Sequence, residues 1–232
     1  MLNLSTKIGL FPIWVLKLDN MTFKDAVYEY AEEPLTRQIM MDLLKDYHRP
    51  NDKINELVKK GDLTTVKKGL YITGPRINIA KPESFLIANH LWGPSYVSLE
   101  SALSYWGLIP ERVYEISSIT VKTSKNYKTP LGRFSYYRLP LPYYSFGIKS
   151  VQLTPKQVVL IASPEKAICD KIITTSGIFL RSQKQAREYL IDNLRIDEEM
   201  LRELDLGAIG SWIKDAPKKG SLSMLVKTIN DL

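Results

Sequence analysis

The sequence contains very little cysteine and histidine: one cysteine, Cys169, and two histidines, His48 and His90, among 232 residues. A single cysteine excludes a disulfide within the chain. One cysteine and two histidines are also too few for a Cys/His zinc site or a cysteine-ligated iron–sulfur cluster. The sequence therefore predicts no metal and no cofactor, and its lack of a disulfide framework favours a reducing, cytoplasmic location.

Long hydrophobic runs are lacking as well. No stretch approaches the roughly 20 apolar residues that a membrane-spanning helix needs. The apolar run at residues 9–16 is broken by Pro12 and ended by Lys17, and no small-residue cleavage site follows it. These features argue against a signal peptide, and we expect the segment to pack on the body of the protein.

Familiar catalytic patterns are missing too. Neither a Walker-type nor a Rossmann-type glycine loop occurs. Cys169 follows two apolar residues and is expected to be a buried hydrophobe rather than a nucleophile. The acid–lysine pairs at 165–166 and 170–171 resemble part of a nuclease site, but their position near a helix start favours acids that face a helix dipole. The sequence thus predicts no catalytic residues and a protein that is not an enzyme.

Positive charge is present and unevenly distributed. The chain has 32 Lys and Arg against 25 Asp and Glu, a net charge of +7. Residues 34–76 hold nine basic and five acidic residues, and residues 112–149 hold seven and one. Clustered positive charge indicates a polyanionic partner. On charge alone, a solvated face without a specific partner is an equally open reading.

The first 75 residues have a pattern of helices followed by a hairpin. Helices are predicted over roughly 22–32, after a Thr36 cap, and from an Asn51 or Asp52 cap to Gly61. Two β-prone runs, 63–66 and 70–72, then flank a Lys-Lys-Gly turn. This order is typical of a winged helix-turn-helix, in which the third helix reads the major groove and the hairpin is the wing.

The remainder of the chain alternates between helical and β-rich patterns. Helices are predicted at about 83–91, 99–106, 163–174, 182–193, 197–204 and 221–231, and β-rich runs at 113–123, 133–139 and 157–161. The predicted fold class is α+β. A winged helix-turn-helix domain over residues 1–76 is followed by a larger mixed α+β domain over residues 77–232, which has a helical C-terminal tail.

The tyrosine- and lysine-rich block at 122–149 is a second candidate for nucleic-acid binding. Base stacking on its aromatic rings would suit single strands, but an antiparallel sheet with tyrosines on its faces is the favoured reading. A basic sheet can still touch DNA phosphates beside the wing. The residues predicted as secondary phosphate contacts are Lys122, Lys125, Lys128 and Arg133.

Four motifs, in order and spacing, resemble the AbiEi family of antitoxins from bacterial abortive-infection (type IV) toxin–antitoxin systems. They are the segment 57–63 followed by Lys-Lys-Gly-Leu-Tyr at 67–71, the segment 96–103 followed by Gly-Leu-Ile-Pro-Glu at 107–111, Thr-Pro-Leu-Gly-Arg-Phe at 129–134, and Ala-Ser-Pro-Glu-Lys-Ala-Ile-Cys-Asp at 162–170. The resemblance covers roughly residues 20–175.

The resemblance implies a two-part protein. Its winged helix would bind double-stranded operator DNA, typically inverted repeats, and repress its own operon. Its C-terminal part would neutralise, directly or indirectly, a neighbouring nucleotidyltransferase-like toxin in phage defence. The implied DNA-binding residues are Arg49, Asn51, Lys53, Asn55, Lys59, Lys60, Lys67 and Lys68, with the two asparagines able to read adenine.

Two alternatives stay open from the sequence. One is a winged-helix transcriptional regulator without a toxin partner. The other is a nuclease that its DNA-binding module directs to the target, which Mg²⁺-dependent cleavage would reveal.

Overall fold

The structure is a computed structural model that describes Val27, Tyr30 and residues 32–232. Val27 is helical and buried. Apart from Val27, Tyr30 and Glu32, the predicted helix over 22–32 lies outside the described residues, and so does the predicted packing of residues 9–16. Within the described part of the chain, no helix is long and apolar enough to cross a membrane.

From residue 32 to residue 76, the elements are two helices and a small antiparallel sheet. In chain order they are β1 (Leu35–Thr36), α1 (Arg37–Leu43), α2 (Pro50–Lys60), β2 (Leu63–Lys67) and β3 (Leu70–Thr73). The three strands lie in the order β1-β3-β2, so the strand before the helices pairs with the last strand of the hairpin.

Local sequence explains most of these boundaries. Thr36 caps α1 as predicted, because its hydroxyl accepts a hydrogen bond from the backbone N–H of Ile39 at 3.4 Å. Gly61 ends α2 in the left-handed region, with φ of 78°. Gly74 then brings the chain leaving β3 against the end of α2, and its N–H donates to the Asp62 carbonyl at 2.8 Å.

The predicted cap of α2 is wrong. The helix begins at Pro50, so Asn51 and Asp52 lie inside its first turn, and Arg49 occupies the capping position without a side-chain capping bond. Proline suits the first helical position because its fixed φ matches the helix and its missing N–H would be unpaired there anyway.

The larger C-terminal part is built around a six-stranded mixed sheet. Its elements up to the last strand are α3 (Ser84–Leu91), β4 (Ser95–Val97), α4 (Leu99–Tyr105), β5 (Glu115–Thr120), β6 (Lys125–Thr129), β7 (Gly132–Arg138), a 3₁₀ turn (Tyr143–Ser145), β8 (Ile148–Thr154) and β9 (Gln157–Ala162). The strand order is β6-β7-β5-β4-β9-β8. The β5–β7 and β4–β9 pairs are parallel and the others are antiparallel.

Helices complete the chain. They are α5 (Pro164–Thr174), α6 (Gln183–Arg187) with a π-helical continuation (Glu188–Asn193), α7 (Glu198–Arg202), α8 (Leu206–Trp212), a 3₁₀ turn (Ile213–Asp215) and α9 (Lys219–Asn230). The predicted α+β class is confirmed at this level, since helices and two sheets make up the described residues. Strands β1, β4, β6 and β8 and helix α8 were not predicted.

Two hydrophobic cores form within the described residues. The N-terminal core consists of Leu35, Met40, Leu44, Ile54, Leu57 and Leu63. The main core is built on the six-stranded sheet and its helices, but it also contains Val66, Leu70 and Ile72 from the hairpin. The hairpin therefore belongs to both cores, and the predicted domain boundary after residue 76 stays a prediction.

Candidate nucleic-acid interface

Helix α2 has one buried face and one polar, solvent-exposed face. Ile54 and Leu57 fall in the N-terminal core. Asn51, Asn55 and Lys59 are exposed, and their spacing of four residues places them along one side of the helix. The side chains predicted to read DNA from this helix are thus turned towards solvent.

Two other predicted contacts on α2 are engaged with a carboxylate. Lys53 and Lys60 both pair with Glu56, Lys53 at 3.1 Å. The hydrogen bond from Lys60, and next that from Lys53, lowers the pKa of Glu56. The positive charge of these two lysines is therefore partly offset before any DNA arrives.

Arg49 lies just before α2 and is only loosely held. Its guanidinium is 3.8 Å from the Asp52 carboxylate, and the two side chains are 77% and 68% exposed. An ion pair this exposed contributes little to stability. Arg49 is consequently available to another anion.

The hairpin turn contributes Lys68, which is exposed. Gly69, next to it, has a φ of 82° and accepts a hydrogen bond at its carbonyl from the Arg37 N–H at 2.8 Å. This bond places exposed Arg37, the first residue of α1, beside the turn. Sequence reasoning missed Arg37 because the contact depends on how α1 packs against the hairpin.

Lys67 lies in a different environment from Lys68. Its ammonium donates a hydrogen bond to the carbonyl of Leu91 and lies 5.9 Å from the centre of the Tyr127 ring. Burial, and then the charges of Lys122 and Lys125, lower the pKa of Lys67. The structure thereby brings the two basic segments of the sequence together at Lys67.

Around that point lies a basic–aromatic cluster, formed by Lys67, Trp92, Lys122, Lys125 and Tyr127. The Trp92 ring centre is 5.1 Å from the Lys122 ammonium and 4.6 Å from that of Lys125, which is also 5.0 Å from the Tyr127 ring. The two rings are 6.1 Å apart. Within the described residues no carboxylate forms a salt bridge with these three lysines. The cluster is therefore a concentrated positive site, as a polyanion requires.

The other two predicted secondary contacts lie further along β6 and on the neighbouring strand β7. Lys128 on β6 and Arg133 on β7 are opposite each other in the strand register, and both are exposed. The guanidinium of Arg133 is 3.7 Å from the Glu115 carboxylate. Because Lys125 pairs with Tyr136 whereas Lys128 pairs with Arg133, Lys128 and Arg133 lie on the face of the sheet opposite to Lys125.

The motif at 162–170 lies inside the protein. Ser163 caps α5 as predicted, accepting from the Lys166 N–H at 3.2 Å. The carboxylate of Asp170 accepts hydrogen bonds from the Tyr96 hydroxyl at 2.9 Å and the Ser98 hydroxyl at 2.8 Å. Lys166 and Asp170 are fully buried. The expectation that both acids face the helix N-terminus holds only for Glu165, which is in the first turn.

The side chains of Lys166 and Asp170 are therefore shielded from solvent. Cys169 is also fully buried, and burial raises its pKa. In the part of the chain that the structure describes, no three His, Cys, Asp or Glu side chains come together as a metal site would need. The buried polar groups instead join α5 to β4 and to the residue that follows it.

No family model matches the chain, and no curated protein matches it. Among solved structures, it is similar to the crystal structure of the RV2827C protein from Mycobacterium tuberculosis, with 14% sequence identity and a TM-score of 0.56. The match covers 90% of this chain and 77% of that chain. At this identity the likeness concerns the fold alone.

Proposed function

We propose that this protein is a DNA-binding antitoxin that represses its own operon through an N-terminal winged helix-turn-helix. The observation that carries the DNA-binding part is the exposed polar side of α2, formed by Asn51, Asn55 and Lys59. The strand order in the sheet is β1-β3-β2, and α1 and α2 lie between β1 and β2 in the chain. This arrangement supports the winged-helix assignment.

In the proposed complex, α2 enters the major groove. Asn51 and Asn55 face base edges there, since an asparagine amide can donate to and accept from adenine at once. Lys59 and Arg49, which are exposed beside them, neutralise phosphates. Lys53 and Lys60 take part after exchanging Glu56 for phosphate, which makes their contributions smaller.

The turn of the hairpin supplies further phosphate contacts. Lys68 and Arg37 lie on either side of the bond between Gly69 and α1. Beyond them, Lys122 and Lys125 extend the positive surface onto the larger sheet, whereas Lys128 and Arg133 lie on the other face of that sheet. Contacts of this kind position a protein on DNA without reading its sequence.

The antitoxin part of the proposal rests on the resemblance of the four motifs to the AbiEi family. Its partner would be a nucleotidyltransferase-like toxin, neutralised directly or indirectly. The buried state of Lys166 and Asp170 agrees with a holding role for the motif at 162–170 rather than a chemical one.

A mobility-shift titration with the DNA upstream of the coding sequence tests the DNA-binding proposal. We expect Asn55→Ala to weaken binding to that DNA by about 1–3 kcal/mol and to leave binding to unrelated DNA unchanged. Asn230→Ala, an exposed asparagine at the end of α9, is the matched control. An equal loss of affinity for both DNAs would mean that α2 does not read the base sequence.

Co-expression tests the antitoxin part separately. We expect the neighbouring gene product to be toxic alone and harmless with this protein. A protein that binds the upstream DNA but leaves a toxic neighbour unaffected would be a regulator without a toxin partner.

A further inference from the structure

The hairpin of β2 and β3 is covered on both faces. Leu63 belongs to the N-terminal core, and Tyr71 packs against the same core. Leu70 and Ile72, which flank Tyr71, belong to the main core. Since neighbouring residues of a strand point to opposite faces, β3 has the N-terminal helices on one side and the larger body on the other.

A β-bulge in β2 turns two further side chains of the hairpin towards the larger body. The pairing register shifts between Thr65 and Lys67, so that Val66 is the extra residue. A bulge redirects the side chains that follow it. Val66 is buried in the main core, and Lys67 then reaches the carbonyl of Leu91.

The acceptor of Lys67 is well suited to an ammonium. Leu91 is the last residue of α3, where carbonyl groups have no partner within the helix. The negative end of the helix dipole lies at the same place, which favours a cation. Lys67 thus fixes the end of the hairpin to α3, while the Tyr127 ring on β6 lies 5.9 Å from its ammonium.

We propose that the hairpin is a rigid joint between the two parts of the protein and that Lys67 is its positioning residue, not a DNA contact. The joint holds α2 at a fixed distance and angle from Lys122 and Lys125, so that one DNA duplex meets both. This inference rests on the proposed DNA binding. Lys68, one residue later and exposed, is the residue of the pair that meets phosphate.

Salt dependence separates the two roles of Lys67. Each phosphate contact contributes about 0.9 to the slope of log affinity against log salt concentration. Lys68→Met, which removes one contact, should lower the slope by about 0.9. Lys67→Met should lower it by about 1.8, because the contacts of Lys122 and Lys125 are both lost when the joint loosens.

A double-mutant cycle then decides between positioning and contact. When Lys122→Ala and Lys125→Ala are added to Lys67→Met, we expect no further fall in the slope. If instead Lys67→Met alone lowered the slope by about 0.9 and the lysine substitutions on the sheet lowered it further by their full amount, Lys67 would be a direct phosphate contact. That result would overturn the inference. Lys67→Arg, which keeps a cationic donor, should retain most of the wild-type slope.

Amide hydrogen exchange without DNA provides an independent readout. Lys67→Met should speed exchange in β3 and around Trp92, whereas Lys68→Met should leave both segments as in the wild type. If the wild-type protein binds no DNA, the proposed function fails, and this exchange difference alone supports the joint. Unchanged exchange in Lys67→Met would reject the joint in either case.

Discussion

The Lys166 ammonium lies 3.1 Å from the Asp170 carboxylate, one turn further along α5, and neither side chain is exposed. Lys166 also donates to the Tyr143 carbonyl at 2.9 Å, and its ammonium is 3.2 Å from the centre of the Tyr143 ring. Burial raises the pKa of Asp170 and lowers that of Lys166, while each partner's charge opposes the shift in the other. The pair is therefore held by its mutual attraction and its hydrogen bonds.

Breaking this pair from one side should be costly. Asp170→Asn leaves a buried ammonium without a counterion, and we expect a loss of about 3–5 kcal/mol in the free energy of unfolding, measured by urea denaturation. The double variant Lys166→Met/Asp170→Leu, which buries no charge, should lose less. If the double variant were as unstable as Asp170→Asn, packing volume rather than charge would govern this part of the core.

The thiol of Cys169 should be unreactive in the folded protein. Burial, and next the charge of Asp170, raise its pKa, so the reactive thiolate is scarce and inaccessible. We expect no maleimide labelling at mildly alkaline pH until urea unfolds the chain. The positive control is Ser176→Cys, at an exposed position after α5, which should add one rapidly labelled thiol. Fast labelling of native Cys169 would mean that this part of the core opens readily.

Gly74 should not tolerate a side chain. A Cβ atom there would lie 2.2 Å from the carbonyl oxygen of Gly61. Because that oxygen belongs to the backbone, it cannot move aside as the end of a flexible side chain could. We expect Gly74→Ala to lower the melting temperature by several degrees, as a loss of about 1–3 kcal/mol does.

Gly220→Ala is the matched control for that substitution. Gly220 lies in the first turn of α9, and a Cβ atom at this position would meet open space. Alanine should leave the melting temperature equal or higher, since it favours a helix by up to about 1 kcal/mol over glycine. If both substitutions lowered the melting temperature by a similar amount, the close approach of Gly74 and Gly61 would not be the cause.

The lysines of the larger sheet should add to DNA affinity without adding sequence preference. Lys122→Ala/Lys125→Ala is expected to lower the salt slope by about 1.8 and to weaken binding to all duplexes in proportion. Lys184→Ala/Lys227→Ala, on α6 and α9, changes the net charge equally and should leave the slope unchanged. Equal changes in both double variants would indicate a response to net charge alone.

Local signals in the sequence were sufficient where the structure depends on neighbours in the chain. Thr36, Gly61 and Ser163 each mark a helix end as predicted, because a capping bond or a left-handed residue is decided within a few positions. The hairpin turn at Lys68 and Gly69 was predicted for the same reason.

Features that depend on distant contacts were not predicted. Strand β4 is only three residues long and fully buried, so it has no alternating pattern. Strand β6 is a polar edge strand with two lysines, which obscures its β character. The acceptor of Lys67 is 24 positions away in the chain, and nothing near residue 67 identifies it.

The two covered faces of the hairpin also have a consequence for synthesis on the ribosome. Val66, Leu70 and Ile72 are translated before the strands and helices that bury them, at roughly 5–20 residues per second. For several seconds the apolar face of the hairpin therefore has no partner in the nascent chain. A chain released early would therefore be a substrate for chaperones or proteases, and only complete molecules would present the rigid joint to DNA.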